Sequence, residues 1–181
     1  MSEHERLLLE GGLAILPTDT VYGIGCAAAL PEACERLYAV KERPAGQATA
    51  VVFGSVAKAV EVLGSPLPEE LLPGPVTLVV PNPDRAFAHL CGPSPERIGV
   101  RVPELAPAVR ELADAVGGLA LTSANRRGEA APGRLSDVPP ELRSAAAVVV
   151  DGGTLPGIAS TVLDLTGPEP VVIRPGPAPP P

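Results

Sequence analysis

Short apolar runs alternate along the chain with stretches in which apolar residues recur at helical spacing. The apolar runs predict strands at residues 13–16, 49–53, 76–80, 98–102, 119–122, 148–151, 161–165 and 171–174. The helical spacing predicts helices at residues 31–43, 56–63, 69–72 and 106–116. Pro31 suits the first position of a helix, and Pro44 bounds its end. The alternation of strands and helices predicts an α/β fold, and no repeat or linker divides the chain.

The apolar content of the chain is aliphatic, since 45% of its 181 residues are hydrophobic but only 2% are aromatic. A chain of this length is expected to form one domain. Its core of valine, leucine, isoleucine and alanine suits a buried sheet covered by helices. The last residues, 177–181, are rich in proline and are predicted to form a flexible tail.

The formal net charge is −7. This charge argues against sequence-independent nucleic-acid binding, which needs many phosphate contacts from lysine and arginine. Only two of the 14 basic residues are lysines. That bias is compatible with a GC-rich genome and equally with a thermophile.

The three cysteines, Cys26, Cys34 and Cys91, lack the spacing of a metal site. We therefore expect reduced thiols in a cytoplasmic protein. Residues 1–12 carry three glutamates and lack the apolar core of a signal peptide. No apolar run approaches the ~18 residues of a membrane helix, so no membrane association is predicted.

Familiar catalytic signatures are missing from the sequence. There is no G-x-x-x-x-G-K-[ST] loop, no G-x-G-x-x-G after the first strand and no Ser-His-Asp candidate. The two histidines, His4 and His89, lie in polar segments where we expect exposure. Hydroxyl and cationic residues instead follow predicted strands, at residues 17–23, 123–125 and 174–176, and also precede one at residue 160. Each segment alone is typical of a turn or cap, but together they predict a ligand site beyond the strand ends.

Lys41 and Arg43 lie two residues apart at the end of a predicted helix. Residues at that spacing do not share a helix face, but both could reach one ligand if the helix frays before Pro44. The alternative is that these cations only offset the helix dipole.

Arg101 lies between Val100 and Val102 in a predicted apolar strand. Alternation sends its side chain to the face opposite the two valines. A partly buried arginine needs an anionic partner. That partner is either a carboxylate of the protein or a carboxylate of the ligand.

Seven motifs in this order resemble one family. They are residues 17–25 (PTDTVYGIG), 41–44 (KERP), 73–78 (PGPVTL), 99–103 (GVRVP), 122–125 (TSAN), 160–162 (STV) and 174–176 (RPG). The chain is identified by them as a member of the YrdC-like threonylcarbamoyl-AMP synthase family, with the likeness spanning residues 11–176. Because the chain ends soon after the last motif, it resembles the short, single-domain form, with a YrdC-like domain at residues 1–176.

The resemblance implies a YrdC/RibB-like α/β fold, a twisted mixed sheet with flanking helices and a concave positively charged cavity. It also implies synthesis of threonylcarbamoyl-AMP and pyrophosphate from threonine, bicarbonate or CO2, and ATP, a nucleotidyltransferase reaction. The product would pass to downstream tRNA-modifying proteins that form threonylcarbamoyladenosine, with weak or no direct RNA binding by this chain.

By the same resemblance, threonine would be bound by Thr20, Arg101 and Ser160. The nucleotide would be bound by Lys41, Arg43, Ser123, Asn125 and Arg174, with Lys41 and Arg43 as the catalytic cations. Two segments depart from the family pattern. Residues 47–49 are QAT where the family has a polar residue before Pro-Leu, and residues 126–128 are RRG where it often has Leu-Ser-Gly.

The implied mechanism suits the residues present. A carbamate of threonine is already an anion, so it could attack the α-phosphate of ATP without a general base from the protein. Orientation and cations would then supply catalysis. Mg²⁺ would bridge the phosphates, and no all-protein metal site is predicted.

Three other functions stay open at the level of sequence. They are a non-enzymatic RNA-binding module, a paralogous carbamoyl-AMP enzyme with another acceptor, and a hydrolase or lyase on a similar cavity. The acidic net charge disfavours the first and the lack of an acid–base pair disfavours the last. The sequence does not indicate an oligomeric state.

Overall fold

The fold was determined as a computed structural model that describes residues 1–44 and 46–178. A nine-stranded mixed sheet runs through it in the order β7-β1-β2-β6-β3-β5-β4-β8-β9. The strands are β1 (Leu13–Pro17), β2 (Tyr22–Ala27), β3 (Val51–Val52), β4 (Val76–Pro81), β5 (Arg97–Arg101), β6 (Leu119–Ser123), β7 (Ala146–Val149), β8 (Thr161–Asp164) and β9 (Val171–Arg174). Parallel pairs join β1 to β7, β3 to β5 and β4 to β8, and the other pairs are antiparallel.

Five α-helices flank the sheet. They are α1 (Glu3–Leu9), α2 (Pro31–Val40), α3 (Val56–Leu63), α4 (Pro107–Ala115) and α5 (Pro140–Ala145). Short 3₁₀ helices form at Glu69–Leu71, Ala88–Leu90 and Leu135–Asp137. No helix among these described residues is long and apolar enough to cross a membrane.

The two faces of the sheet are covered differently. On one face, α2, α3 and α5 pack against the larger core cluster, which contains Ile15, Ile24 and Val100. On the other face, α1 and α4 form a smaller cluster over β1, β6 and β3. Val52 and Leu121 belong to that smaller cluster and also line a cavity. The part of this face that α1 and α4 leave uncovered therefore begins at these two residues.

The α/β prediction is confirmed, and most predicted strands form within two residues of their expected bounds. The strand predicted at 49–53 is shorter, because the Thr49 amide donates to the Leu90 carbonyl rather than to the ladder. The helix predicted at 69–72 is a single 3₁₀ turn. Helices α1 and α5 were not predicted.

Strand β2 was also missed, and its glycines explain why. A Cβ at Gly23 or Gly25 would lie 2.7 Å from a side-chain carbon of Leu121 on the neighbouring strand. Both positions therefore need glycine for close strand packing, although glycine is depleted in strands and hides the alternation.

Helix α2 ends at Val40, three residues before the predicted end at Arg43. Glu42 turns into the left-handed region at φ 49°, and the Arg43 amide donates to the Tyr38 carbonyl at 2.9 Å. This is the hydrogen bonding of a left-handed helix end. The helix therefore ends before Pro44, through an ordered left-handed turn and not through the fraying that the sequence left open.

The three cysteines are buried free thiols, as expected for reduced cysteines. His89 is exposed, as predicted. Of the predicted flexible tail, residues 179–181 lie outside the described residues. Ala178 accepts a hydrogen bond from Thr161 Oγ1 at 2.8 Å, so the start of the predicted tail contacts the domain.

Candidate active site

A cavity of about 600 Å³ lies on the open part of the sheet face. Four arginines line it, and no acidic side chain is found among the described residues of its wall. The lining residues come from β2, β3, β4, β5, β6, β8 and β9, together with residues 18, 21, 43, 47–50, 91, 93–94 and 159–160. The site therefore spreads across the sheet face, whereas the sequence placed it beyond the strand ends. A lining with four arginines and no described carboxylate favours an anionic ligand.

Arg101 lies at one end of this cavity and is buried. One of its terminal nitrogens, Nη2, forms an ion pair with Asp19 and donates to Thr20 Oγ1 at 2.6 Å. Its Nε is buried with no hydrogen-bond partner among the described residues. Burial lowers the pKa of Arg101, and Asp19 offsets part of that shift. The protein carboxylate thus satisfies only part of the guanidinium, and a donor is left for a ligand.

Asp19 and Thr20 come from the turn between β1 and β2, at residues 18–21. Asp19 also accepts from the Glu104 amide at 3.3 Å, which fixes it beside the end of β5. Thr20 is fully buried and is not part of the cavity wall. Thr20 therefore orients Arg101 in this structure, whereas the family resemblance predicted that Thr20 contacts the threonine substrate itself.

Ser160 and Arg174 form a second polar group of the wall. Arg174 Nη2 donates to the Ser160 carbonyl at 2.7 Å and lies 3.1 Å from Ser160 Oγ. The hydroxyls of Ser160 and Thr77 are 3.0 Å apart. The charge of Arg174 contributes, after burial, to the lowered pKa of Arg101, so Arg174 lies near the predicted threonine residues.

Arg43 forms the other cationic part of the wall. Its Nη1 donates to Thr122 Oγ1 at 2.9 Å and its Nη2 to the Ala48 carbonyl at 2.8 Å. The guanidinium carbon lies 5.6 Å from the centre of the Tyr38 ring, within cation–π range. Its Nε is buried without a partner in the described chain. As at Arg101, the described chain leaves one donor of the guanidinium unsatisfied.

Lys41 is buried behind this wall. Its ammonium donates to the backbone carbonyl of Ser123 at 2.8 Å and to that of Asn125. Burial, followed by the charge of Arg43, lowers the pKa of Lys41 to about 8. Lys41 therefore holds the turn at the end of β6, and its charge reaches the cavity only through that turn.

Asn125 does not reach the cavity wall either, whereas Ser123 does. The Asn125 amide nitrogen donates to the carbonyl oxygens of Arg126 and Glu129, at 3.0 and 2.7 Å. Its side-chain oxygen is buried and unpartnered within the described residues. Arg126, one of the departures from the family pattern, forms an ion pair with Glu141 on the surface.

Five of the eight predicted site residues thus line one cavity. They are Arg43, Arg101, Ser123, Ser160 and Arg174. The other three, Thr20, Lys41 and Asn125, lie directly behind these residues. Sequence reasoning missed four residues of the site: Asp19, Thr77, Arg97 and Thr122. Three of these lie inside the quoted motifs, which was an available signal. Arg97 lies outside them.

No described cluster of three or more histidine, cysteine or carboxylate side chains is arranged to hold a metal ion. No histidine or carboxylate lies among the described residues of the wall to act as a base on a ligand there. The chemistry that this site supports is therefore binding and orientation of anions by guanidinium and hydroxyl groups.

The profile of the Sua5/YciO/YrdC family, described as "Telomere recombination", matches residues 6–176. The chain belongs to this family. It is 35% identical to the threonylcarbamoyl-AMP synthase of Pyrococcus abyssi over 177 residues, which cover 92% of this chain and 51% of that protein. It is also 35% identical to the Bos taurus threonylcarbamoyl-AMP synthase, covering 93% of this chain and 65% of the relative. The chain thus spans about half to two thirds of the length of these curated relatives.

Solved structures agree with the family. P. abyssi Sua5 complexed with L-threonine superposes with a TM-score of 0.79 at 31% identity, covering 95% of this chain and 52% of that one. Escherichia coli YciO gives a TM-score of 0.79 at 24% identity, covering 95% and 86% of the two chains. The YciO likeness supports the fold alone. The family and the α/β fold predicted from the motifs are confirmed.

Proposed function

We propose that this chain is a threonylcarbamoyl-AMP synthase, which forms threonylcarbamoyl-AMP and pyrophosphate from L-threonine, bicarbonate or CO2, and ATP. The observation that carries the proposal is the buried Arg101. It lines a cavity with four arginines and no carboxylate in its described wall, and its Nε has no hydrogen-bond partner in the described chain. The relatives named above support the choice of reaction, and the Sua5 complex supports threonine as a ligand.

In this proposal Arg101 binds the threonine carboxylate, assisted by Ser160. A guanidinium forms parallel hydrogen bonds with a carboxylate and so fixes its orientation. Thr20 and Asp19 act behind Arg101 as positioning residues, because both contact its Nη2. Arg174 donates to Ser160 and adds positive charge near the carboxylate and the nucleotide.

The reaction needs little proton chemistry from the protein. The threonine amine adds to CO2 and releases a proton to water, which gives a carbamate. A carbamate oxygen bonds to the α-phosphorus of ATP, and the bond from that phosphorus to the bridging oxygen of the β-phosphate breaks. The electron pair stays on the pyrophosphate. Arg43 and the turn held by Lys41 offset the phosphate charge. Ser123 contacts the nucleotide, and Asn125 supports that turn from behind the wall.

Mg²⁺ would enter bound to the phosphates of ATP. We place the protein in the cytoplasm, where reduced thiols such as the three buried cysteines persist. Its product would pass to tRNA-modifying proteins that form threonylcarbamoyladenosine.

The test is incubation with ATP, Mg²⁺, threonine and bicarbonate, followed by assay of pyrophosphate and mass spectrometry of the mixed anhydride. Pyrophosphate release is expected only when threonine and bicarbonate are both present. Equal release without threonine would exclude a threonine-specific synthase, and release that needs another amine would indicate a different acceptor.

A further inference from the structure

Two of the three cysteines are in contact with each other. Cys26 on β2 and Cys34 on α2 are free thiols whose sulfur atoms lie 3.7 Å apart. Both side chains are buried, Cys26 completely and Cys34 to all but 3%. Neither residue is among the described residues of the cavity wall, and the reaction proposed above gives the pair no role.

An imidazole approaches this pair from the surface. The exposed His89 places its Nε2 3.7 Å from the sulfur of Cys34 and 3.0 Å from the carbonyl oxygen of Ala28. A carbonyl oxygen only accepts hydrogen bonds, so Nε2 carries a proton and can donate it toward the sulfur as well. A donor at this position stabilises a thiolate at Cys34.

The two thiols differ in acidity because of these contacts. The hydrogen bond from Cys26, and after it the contact with His89, lower the pKa of Cys34 against the opposing effect of burial. The same hydrogen bond, followed by burial, raises the pKa of Cys26. Of the nearby charged groups, Glu35 raises the pKa of Cys34 and Arg36 lowers that of Cys26. Cys34 is therefore the nucleophile of the pair, and Cys26 is placed to react second.

A short movement of α2 would join the two sulfur atoms. A disulfide bond is about 2.05 Å long, so sulfurs now 3.7 Å apart must approach by roughly 1.7 Å. Strand β2 is held between β1 and β6, so the movement falls mainly on α2. Cys34 lies in the first turn of that helix, and Lys41 and Arg43 follow its end. The Lys41 ammonium lies 2.8 Å from the Ser123 carbonyl, and hydrogen bonds of this kind weaken beyond about 3.2 Å.

We propose that Cys26 and Cys34 are a peroxide-sensitive pair, which closes to a disulfide and thereby displaces Lys41 and Arg43 from their positions at the cavity. The consequence for ATP rests on the proposed function, whereas formation of the disulfide does not. Disulfides of cytosolic proteins are usually transient and serve catalysis or redox sensing, which is the role assigned to this pair.

The oxidation needs one molecule of hydrogen peroxide. The Cys34 thiolate attacks a peroxide oxygen, so an S–O bond forms, the O–O bond breaks, and the departing hydroxide leaves as water with the proton that Cys34 released. The sulfur of Cys26 then bonds to that of Cys34 while the S–O bond breaks, and the proton of Cys26 leaves with this hydroxide as a second water. Two thiols are oxidised to a disulfide, and the peroxide is reduced to two waters.

The experiment treats the intact, reduced chain with hydrogen peroxide, alkylates the remaining thiols in denaturant and digests the chain with trypsin without a reductant. Residues 7–36 form one tryptic peptide that contains both thiols. We expect this peptide to lose two hydrogens and both alkylation sites, and to regain them with dithiothreitol. If both thiols stayed alkylatable at peroxide concentrations that keep the chain folded, the proposal would be overturned.

Calorimetry with ATP, before and after oxidation, tests the effect on the cavity. We expect the oxidised chain to bind ATP about tenfold more weakly, as for the loss of one charged hydrogen bond, and to recover with dithiothreitol. Cys34→Ala lacks the nucleophile, so its ATP affinity should be the same before and after peroxide. Cys91→Ala is the matched control, because the Cys91 sulfur contacts Asn82 and backbone carbonyls instead. This control keeps the pair and should respond to peroxide as the wild type does.

The outcomes separate the pair from the proposed function. A disulfide-linked chain with unchanged ATP affinity would refute control of the cavity by this pair. A decline in Cys34→Ala equal to that of the wild type would place the effect elsewhere and would also overturn the proposal. A reduced wild type that binds no ATP would count against the synthase assignment alone, because mass spectrometry still decides whether the disulfide forms.

Discussion

At the residue scale, the site depends on buried cations that the protein satisfies only in part. Arg101 has a carboxylate partner in Asp19 and a hydroxyl partner in Thr20, yet its Nε has none in the described chain. Arg43 shows the same pattern. A buried donor without a partner costs free energy that a ligand can recover, which links these positions to binding.

Replacement of Arg101 by lysine tests the geometry of this group separately from its charge. A lysine can keep the ion pair with Asp19, but it cannot form two parallel hydrogen bonds with a carboxylate. In Arg101→Lys we expect threonine to bind roughly tenfold more weakly or worse, and ATP to bind nearly as before. Titration calorimetry with each ligand measures both.

Thermal unfolding of the same variant provides the control for stability. Loss of a buried ion pair costs about 3–5 kcal/mol, which would appear as a large fall in Tm. A large fall in Tm combined with unchanged threonine affinity would show that Arg101 serves only the fold.

The lowered pKa of Lys41 predicts that both stability and ATP affinity depend on pH. Its pKa is lowered to about 8 by burial and by Arg43, from an ordinary 10.5. The folded chain therefore binds fewer protons than the unfolded chain between these values, and this residue makes stability rise with pH across that window. The folded chain loses the positive charge behind the cavity wall as the pH rises through about 8. We expect ATP affinity to fall as pH rises through about 8.

Lys41→Arg is the matched variant, because arginine stays protonated throughout this range. Its ATP affinity should stay level where that of the wild type declines. An identical decline in both proteins would mean that another group, or ATP itself, causes the effect.

At the scale of elements, the segment between β7 and β8 delivers Ser160 to the cavity. Tyr22, on β2, anchors the start of this segment: its hydroxyl lies 2.8 Å from Asp151 Oδ1 and 2.9 Å from the Gly153 carbonyl, and accepts from the Gly152 amide at 2.8 Å. Further along, the Gly157 amide donates to the Thr20 carbonyl at 2.8 Å. The turn that supports Arg101 and the segment that carries Ser160 are thus joined.

Tyr22→Phe removes the anchor without changing the buried ring. We expect it to lower the free energy of unfolding by about 1–2 kcal/mol, since Asp151, Gly152 and Gly153 lose the hydroxyl that they contact. Threonine should also bind more weakly, because the segment leading to Ser160 becomes less ordered. Urea unfolding and threonine titration measure the two effects.

The other tyrosine of the chain gives the comparison. The Tyr38 hydroxyl contacts the Gln47 carbonyl and Thr49 Oγ1, each at 3.0 Å and at a more exposed position. Tyr38→Phe should cost less stability and leave threonine affinity unchanged. Equal effects of the two substitutions would contradict a specific role for the Tyr22 anchor.

At the scale of the whole molecule, an acidic chain encloses a cavity lined by arginines. The net charge of −7 repels polyanions at a distance, while the four guanidinium groups act only on a ligand small enough to enter. This distribution suits a small anionic substrate and disfavours a long nucleic acid on the surface.

We therefore expect no retardation of duplex RNA or tRNA in a mobility-shift assay at about 150 mM salt, where non-specific binding depends on many phosphate contacts. ATP should still bind under the same conditions, which serves as the positive control for folded protein. Retardation that weakens steeply with added salt would favour an RNA-binding role for the chain.

The sequence by itself determined the fold class, the position of most strands and the family. Local periodicity suffices for these, because β-branched runs such as those of β8 and β9 need no distant partner to be identified. The ordered motifs also pointed to five residues of the cavity wall. The turn after β1 and Arg101 at the end of β5 were both identified in this way.

The tertiary structure alone decided which residues face the ligand and which support them. The left-handed turn at Glu42, just after α2, separates the two cations. Lys41 lies behind the cavity wall and Arg43 lies in it, which the sequence spacing did not indicate. Strand β2 depends on how Leu121 fills the space above its glycines, and Arg97 joins the site only because this face of β5 lines the cavity. These features depend on contacts between residues that are far apart in the chain. Local sequence patterns do not indicate which distant residues come into contact.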